Sequence, residues 1–138
     1  MGLTVVDAGI LIAFLDENDV HHLGAKRELV SAQQRGDRIA LPASAFAESL
    51  VSPARKGEFA VAAVREFIER LPLLIVEIDL EIAVESARLR ASHGQKLKLP
   101  DALVVATAIQ SGADVLITTD RGWPSKAKLG YRGNLIVL

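Results

Sequence analysis

The sequence predicts an α/β domain with three α/β/α layers and a mainly parallel central sheet of about five strands. Three observations carry that reading. Short apolar runs recur along the chain with helical stretches between them, the pattern of a parallel sheet joined by helices. The runs are continuously apolar rather than alternating, as expected when helices cover both sheet faces. With 138 residues, 50% of them hydrophobic, residues 1–138 read as a single domain with an adequate core.

The elements follow in order. Leu3 to Val6 is a short buried strand that ends at Asp7. GILIAFLDEND forms a short helix and turn. HHLGAKRELVSAQQRG continues as a helix, with Leu23, Leu29 and Val30 as apolar anchors and Gly36 as the stop. RIALP is the second strand. ASAFAESLVSPARKG starts a helix that Pro53 is expected to end. EFAVAAVREFIERL is amphipathic, with Phe59, Ala63, Phe67 and Leu71 on one row and Arg65, Glu66, Glu69 and Arg70 on the wet side. LLIVEI is the third strand, and LEIAVESARLRASHG a helix with Gly94 as C-cap. A helix over Ala102 to Ser111, a strand over Val115 to Thr119, a loop through RGWPSKAKLG and a final strand NLIVL complete the chain.

Composition narrows the functions. The formal net charge is −1, so no overall basic field advertises nucleic acid, although local basic groups remain available. Cysteine is absent, which excludes disulfides, thiolate chemistry and cysteine zinc sites. No signal peptide and no apolar run approaching the roughly 18 residues of a membrane span is found, so a soluble, cytoplasmic protein without membrane contact is expected.

The segment LPDALVVATAIQSGADVLITTD is apolar yet carries an acid near each end, Asp101 and Asp120. In parallel α/β folds, functional sites lie beyond the carboxyl ends of the strands. Asp7 and Asp120 each follow a strand directly. Asp101 returns to the same edge, because the helix after it descends about 15 Å and the next strand climbs back about 16 Å. Glu48 lies one to two turns into a helix leaving that edge, on one face with Ser44 and Ser52. Each acid alone reads as ordinary: Asp7 as a turn or N-cap, Asp101 as a first-turn acid, Glu48 as a solvated residue, Asp120 as a turn. Together, the four carboxylates would repel unless a hard divalent cation, Mg²⁺ or Mn²⁺, joined them. Such an ion polarises a phosphodiester and acidifies a water that attacks it.

The blocks VVDAGILIAFLDENDVHH, LPASAFAESL and LPDALVVATAIQSGADVLITTDRGW resemble the PIN-domain nucleases, and more narrowly the VapC-type toxins of toxin–antitoxin modules. The resemblance covers nearly the whole chain. It implies a Mg²⁺-dependent endoribonuclease, with Mn²⁺ as a substitute, whose metal-holding and catalytic acids are Asp7, Glu48, Asp101 and Asp120. It further implies that Thr118 and Thr119 help position water at the metal. A small VapB-like antitoxin that inserts a segment near the acids and a homodimer through the early helices are also implied. Gly9 departs from the pattern, since many members have Ser, Thr or Asn there.

Other residues are weighed against this frame. Lys96, Lys98 and Arg121 adjoin the acids and are candidates for holding RNA phosphates. Trp123 is placed to stack a base or to anchor its loop. His21 and His22, as sequence neighbours, cannot both face one metal from a helix. Asp16, Glu17 and Asp19 read as a solvated turn, and Asp114, which begins its strand, belongs to the opposite edge. A processing or quality-control nuclease of the same family is the alternative function. A receiver-like Mg²⁺-binding module fits less well, because it needs an acidic pair where this chain has Asp7, Ala8 and Gly9.

Overall fold

The computed structural model describes residues 2–138. Five strands, β1 (Leu3–Val6), β2 (Arg38–Pro42), β3 (Leu73–Val76), β4 (Val115–Thr118) and β5 (Asn134–Val137), form one sheet in the order β3-β2-β1-β4-β5. Every neighbouring pair is parallel. From β1 the chain steps outward to β2 and β3, then returns to place β4 on the other side of β1. The sheet therefore changes winding direction between β1 and β4, and a crevice opens there beyond the strand ends. Val5, Val6, Leu41, Leu116 and Ile117 in the middle strands are almost fully buried, as the continuous apolar runs require.

The helices are α1 (Ala8–Leu15), α2 (His22–Gln34), α3 (Ala43–Lys56), α4 (Glu58–Arg70), α5 (Leu80–His93), α6 (Leu99–Gln110) and the short α7 (Lys126–Leu129). α5 packs on α6, and α6 lies against β1, β2 and β4. α1 joins α2 and α3, while α3 joins α4. α7, capped by Ser125, interrupts the stretch expected to be loop.

Three local expectations are corrected. α3 does not stop at Pro53; it runs to Lys56 and ends at Gly57, whose φ of +124° is the positive-φ region where glycine is favoured. On α4 the sheltered row is Ala60, Val64 and Ile68, while Phe59 is 95% exposed and Ala63 is also outside. Both rows have the same four-residue spacing, so periodicity alone could not choose; packing against α3 did. On α2 the buried residues are Ala25 and Ala32, whereas Leu23 and Val30 are exposed. Small alanines let that helix approach its neighbours closely.

At the opposite edge, Asp37 ties β1 to β2. Its carboxylate accepts from Gly2 N at 3.1 Å and from the buried Thr4 hydroxyl at 2.8 Å, and pairs with Arg35 at 3.1 Å. These contacts, Thr4 foremost, hold its pKa below the ordinary 3.8. Asp37→Ala would strand the Thr4 hydroxyl and is expected to cost about 1–3 kcal/mol in chemical denaturation. An unchanged denaturation midpoint would show the link to be idle. Asp114 also belongs to this edge, where it accepts from Leu3 N at 2.8 Å.

Candidate active site

The crevice between β1 and β4 begins with Asp7. It follows β1 directly, is 6% exposed, and caps α1: its Oδ1 accepts from Ala8 N at 2.7 Å. Its Oδ2 accepts from the Thr118 hydroxyl at 2.8 Å. That hydroxyl, at the end of β4, also accepts from Asp120 N at 3.0 Å. One buried threonine thus joins the two strand-end acids. Asp120 Oδ1 accepts from Gly122 N at 2.8 Å, so its turn role and its place at the crevice coexist.

Asp101 sits in the first turn of α6, which begins at Leu99 with Pro100 in its first turn. After α6, Gly112 turns the chain at φ +63° and β4 climbs back beside β1. This is the return path the length argument requires. Glu48 lies on α3, exposed, beside a groove shared with α1.

Electrostatics shows that these acids face one another. Burial, then the charges of Asp7, Asp120 and Glu48, raise Asp101 from 3.8 to about 6. Burial raises Asp7 as well, against the hydrogen bonds from Thr118 and Ala8, with Asp120 adding to the rise. Glu48 is raised by burial and then by Asp7. Acids from four separate segments therefore meet at one edge, where Asp7, Asp120 and Glu48 oppose the ionisation of Asp101, and Asp7 opposes that of Glu48.

Among the described residues, no three acidic or histidine side chains are close enough together, as placed, to hold one ion. The donor set itself, carboxylate oxygen with a surplus of negative charge, has the chemistry that a hard divalent cation prefers. Two buried polar atoms without hydrogen-bond partners accompany the acids: Ser44 Oγ, one turn before Glu48 on α3, and Trp123 Nε1. The indole N–H stands near enough to Asp101 to favour its ionised form.

The remaining candidates divide. Lys96 and Lys98 are exposed just ahead of α6. Arg121 is exposed too, but its Nε donates to the Leu138 carbonyl at 3.2 Å, which ties it to the chain end. Trp123 packs against the core, so it anchors its loop. His22 Nδ1 lies 2.8 Å from the Ala13 carbonyl and links α2 to α1. Asp16 and Asp19 accept from backbone N–H groups two residues on, as turn acids do. Asp79, after β3, is the N-cap of α5. The sequence placed Ser44 on the face of Glu48 but gave it no role, since a small polar side chain gives no signal until the helix is docked.

A parallel sheet that reverses winding beside strand-end carboxylates defines a class of acidic-site α/β domains. The family model for the PIN domain matches residues 4–129, and the chain belongs to that family. Among solved structures, a toxin–antitoxin complex from Klebsiella pneumoniae aligns at 26% identity and TM-score 0.67, covering 88% of this chain and 96% of that one. FitAcB from Neisseria gonorrhoeae aligns at 20% identity and TM-score 0.69, covering 96% of each chain. VapC20 from Mycobacterium tuberculosis, a sarcin–ricin loop cleaving toxin, aligns at 16% identity and TM-score 0.68, covering 82% of this chain and 86% of that one. The last two show the shared fold. No match was found among curated proteins. No helix among the described residues is long and apolar enough to cross a membrane.

Proposed function

We propose that residues 1–138 act as one PIN-type unit, a Mg²⁺-dependent endoribonuclease that serves as the toxin of a toxin–antitoxin pair. The observation that carries the reading is the joining of Asp7 and Asp120 through the Thr118 hydroxyl, beside an Asp101 whose ionisation burial and then Asp7, Asp120 and Glu48 oppose. Asp101 is opposed by burial and then by three neighbouring acids, so an added cation favours its ionised form. Asp7, Asp101, Asp120 and Glu48 would hold Mg²⁺, or Mn²⁺ in its place. When bound, the ion supplies Lewis-acid polarisation of the phosphodiester and acidifies the attacking water. The Thr118 hydroxyl keeps Asp7 and Asp120 in mutual register, and Thr119 orients the water. Lys96, Lys98 and Arg121 hold RNA phosphates beside the acids, a sequence-independent grip that weakens with salt.

The antitoxin reading has its own support. A groove of about 760 Å³ runs beside Glu48, with Ile12 and Leu15 as apolar wall and Asp16 and Glu17 as acidic rim. Its chemistry suits a short amphipathic segment carrying a basic residue; one solved relative is a toxin–antitoxin complex, and two others are VapBC2 and VapBC bound to DNA. For the homodimer, Val20 and Leu23 stand exposed at the early helices. A second exposed apolar row, Leu80 and Val84 on α5, was not anticipated from the sequence.

The test is cleavage of total RNA by purified protein with Mg²⁺, Mn²⁺ or chelator. Cutting is expected with either ion, none with chelator, and a loss of at least ~100-fold in Asp7→Asn. Chelator-resistant cutting, or equal cutting by the variant, would remove the nuclease reading.

A further inference from the structure

Gly9 occupies the first turn of α1, where an ordinary backbone conformation demands no glycine: it is absent from the positive-φ glycines. A glycine inside a helix weakens it relative to alanine. Space supplies the reason for it. A Cβ built on Gly9 would stand 2.2 Å from Thr119 Oγ1, with Thr119 Cβ at 3.4 Å and Cγ2 at 3.5 Å. The Thr119 side chain therefore fills the volume that a side chain at position 9 would need. Thr119 follows β4, and Gly9 follows Asp7 by two residues, so the contact spans the two walls of the crevice.

The neighbouring threonines then have different duties. The Thr118 hydroxyl is committed, donating to Asp7 and accepting from Asp120 N. Among the described residues, the Thr119 hydroxyl has no hydrogen-bond partner in the protein, and its residue is only partly buried. Threonine is stiff about χ1, and rotating Thr119 would bring its methyl group toward Gly9 in place of the hydroxyl.

We infer that Gly9 and Thr119 form an interlocking pair, in which the missing side chain at 9 seats the Thr119 hydroxyl at the crevice as a positioning group for the oxygen that reacts there. This rests on the nuclease reading for its activity arm but not for its packing arm. Gly9→Ala, normally favourable in a helix, should lower the melting temperature by about 4 °C or more and cleavage about 10-fold. Adding Thr119→Ala removes the collision, since the two Cβ atoms would then meet at an ordinary 3.4 Å. That double variant should recover its melting temperature but not its cleavage. Gly9→Ser with Thr119→Ala returns a hydroxyl from the other wall and should cut at least about threefold faster than Thr119→Ala alone, a positive coupling between contacting sites. Thr119→Val should cut about 10-fold less at nearly unchanged melting temperature, and Thr119→Ser, which keeps the hydroxyl but not the stiff χ1, should recover most of that loss.

Additive losses of melting temperature in the Gly9→Ala and Thr119→Ala pair would overturn the interlock. Full cleavage by Thr119→Val would overturn the role of the hydroxyl. If the parent protein cuts no RNA, the nuclease reading fails while the melting comparison still decides the interlock. In that event the hydroxyl is judged by the melting shift that Mn²⁺ induces in Thr119→Val: a shift equal to the parent's counts against it.

Discussion

Asp101→Asn is expected to abolish measurable cleavage, a loss of at least ~100-fold, while making the metal-free protein more stable at neutral pH. Both effects have one cause. Asp101 has a pKa of about 6 in the fold against an ordinary 3.8, because burial and three neighbouring acids oppose its charge. Between those two values the folded chain binds more protons than the unfolded chain, so stability falls as pH rises through that window. Above it, the full penalty of the ionised group is present. Asparagine keeps the shape and removes the charge, so the fall vanishes for this position. Asp7 and Glu48, also raised, act in the same direction. Asp37, whose pKa is lowered, acts oppositely and adds stability as pH rises through its lower range. Melting curves of metal-free protein from about pH 4 to pH 7 should show a decline that is shallower in Asp101→Asn, by a few degrees. Identical profiles for the two proteins would mean that Asp101 does not feel its neighbours. Mn²⁺ should raise the melting temperature of the parent protein well above that of the variant, because an ion replaces the proton as the neutralising charge.

Thr118→Val should be the most damaging change at the site that leaves all four carboxylates in place. The hydroxyl is fully buried and makes two bonds, to Asp7 Oδ2 at 2.8 Å and from Asp120 N at 3.0 Å. Valine preserves the β-branched shape of a strand residue but leaves a buried carboxylate oxygen and an N–H without partners. The stability cost is about 1–3 kcal/mol, since one of the bonds serves a charged group. The activity cost should be larger in proportion, about 10- to 100-fold, because small displacements of positioned groups are expensive. Thr118→Ser, which keeps the hydroxyl, should restore most of both. A valine variant with normal cleavage would show that Asp7 and Asp120 hold their positions without it.

Much of this protein could be read from its residues in order. The apolar runs LTVV, RIALP and VLITT dictate buried parallel strands, because a backbone covered on both faces has no use for alternation. The shared edge of Asp7 and Asp120 then follows from parallel strands that each end at an acid, whereas the strand order β3-β2-β1-β4-β5 was settled only by the fold. Even the return of Asp101 was a matter of lengths, a helix down and a strand up. What one dimension could not decide was the choice between equivalent partners. α4 carries two apolar rows at the same spacing, and only its neighbour determined that Val64 and Ile68 turn inward and Phe59 outward. The threonines 118 and 119 look alike in sequence, and only the closure of β4 on β1 commits one hydroxyl to Asp7 and leaves the other against Gly9. Patterns along a chain record which residues must avoid water; the particular atom that each one touches is settled when separate segments compete for the same volume.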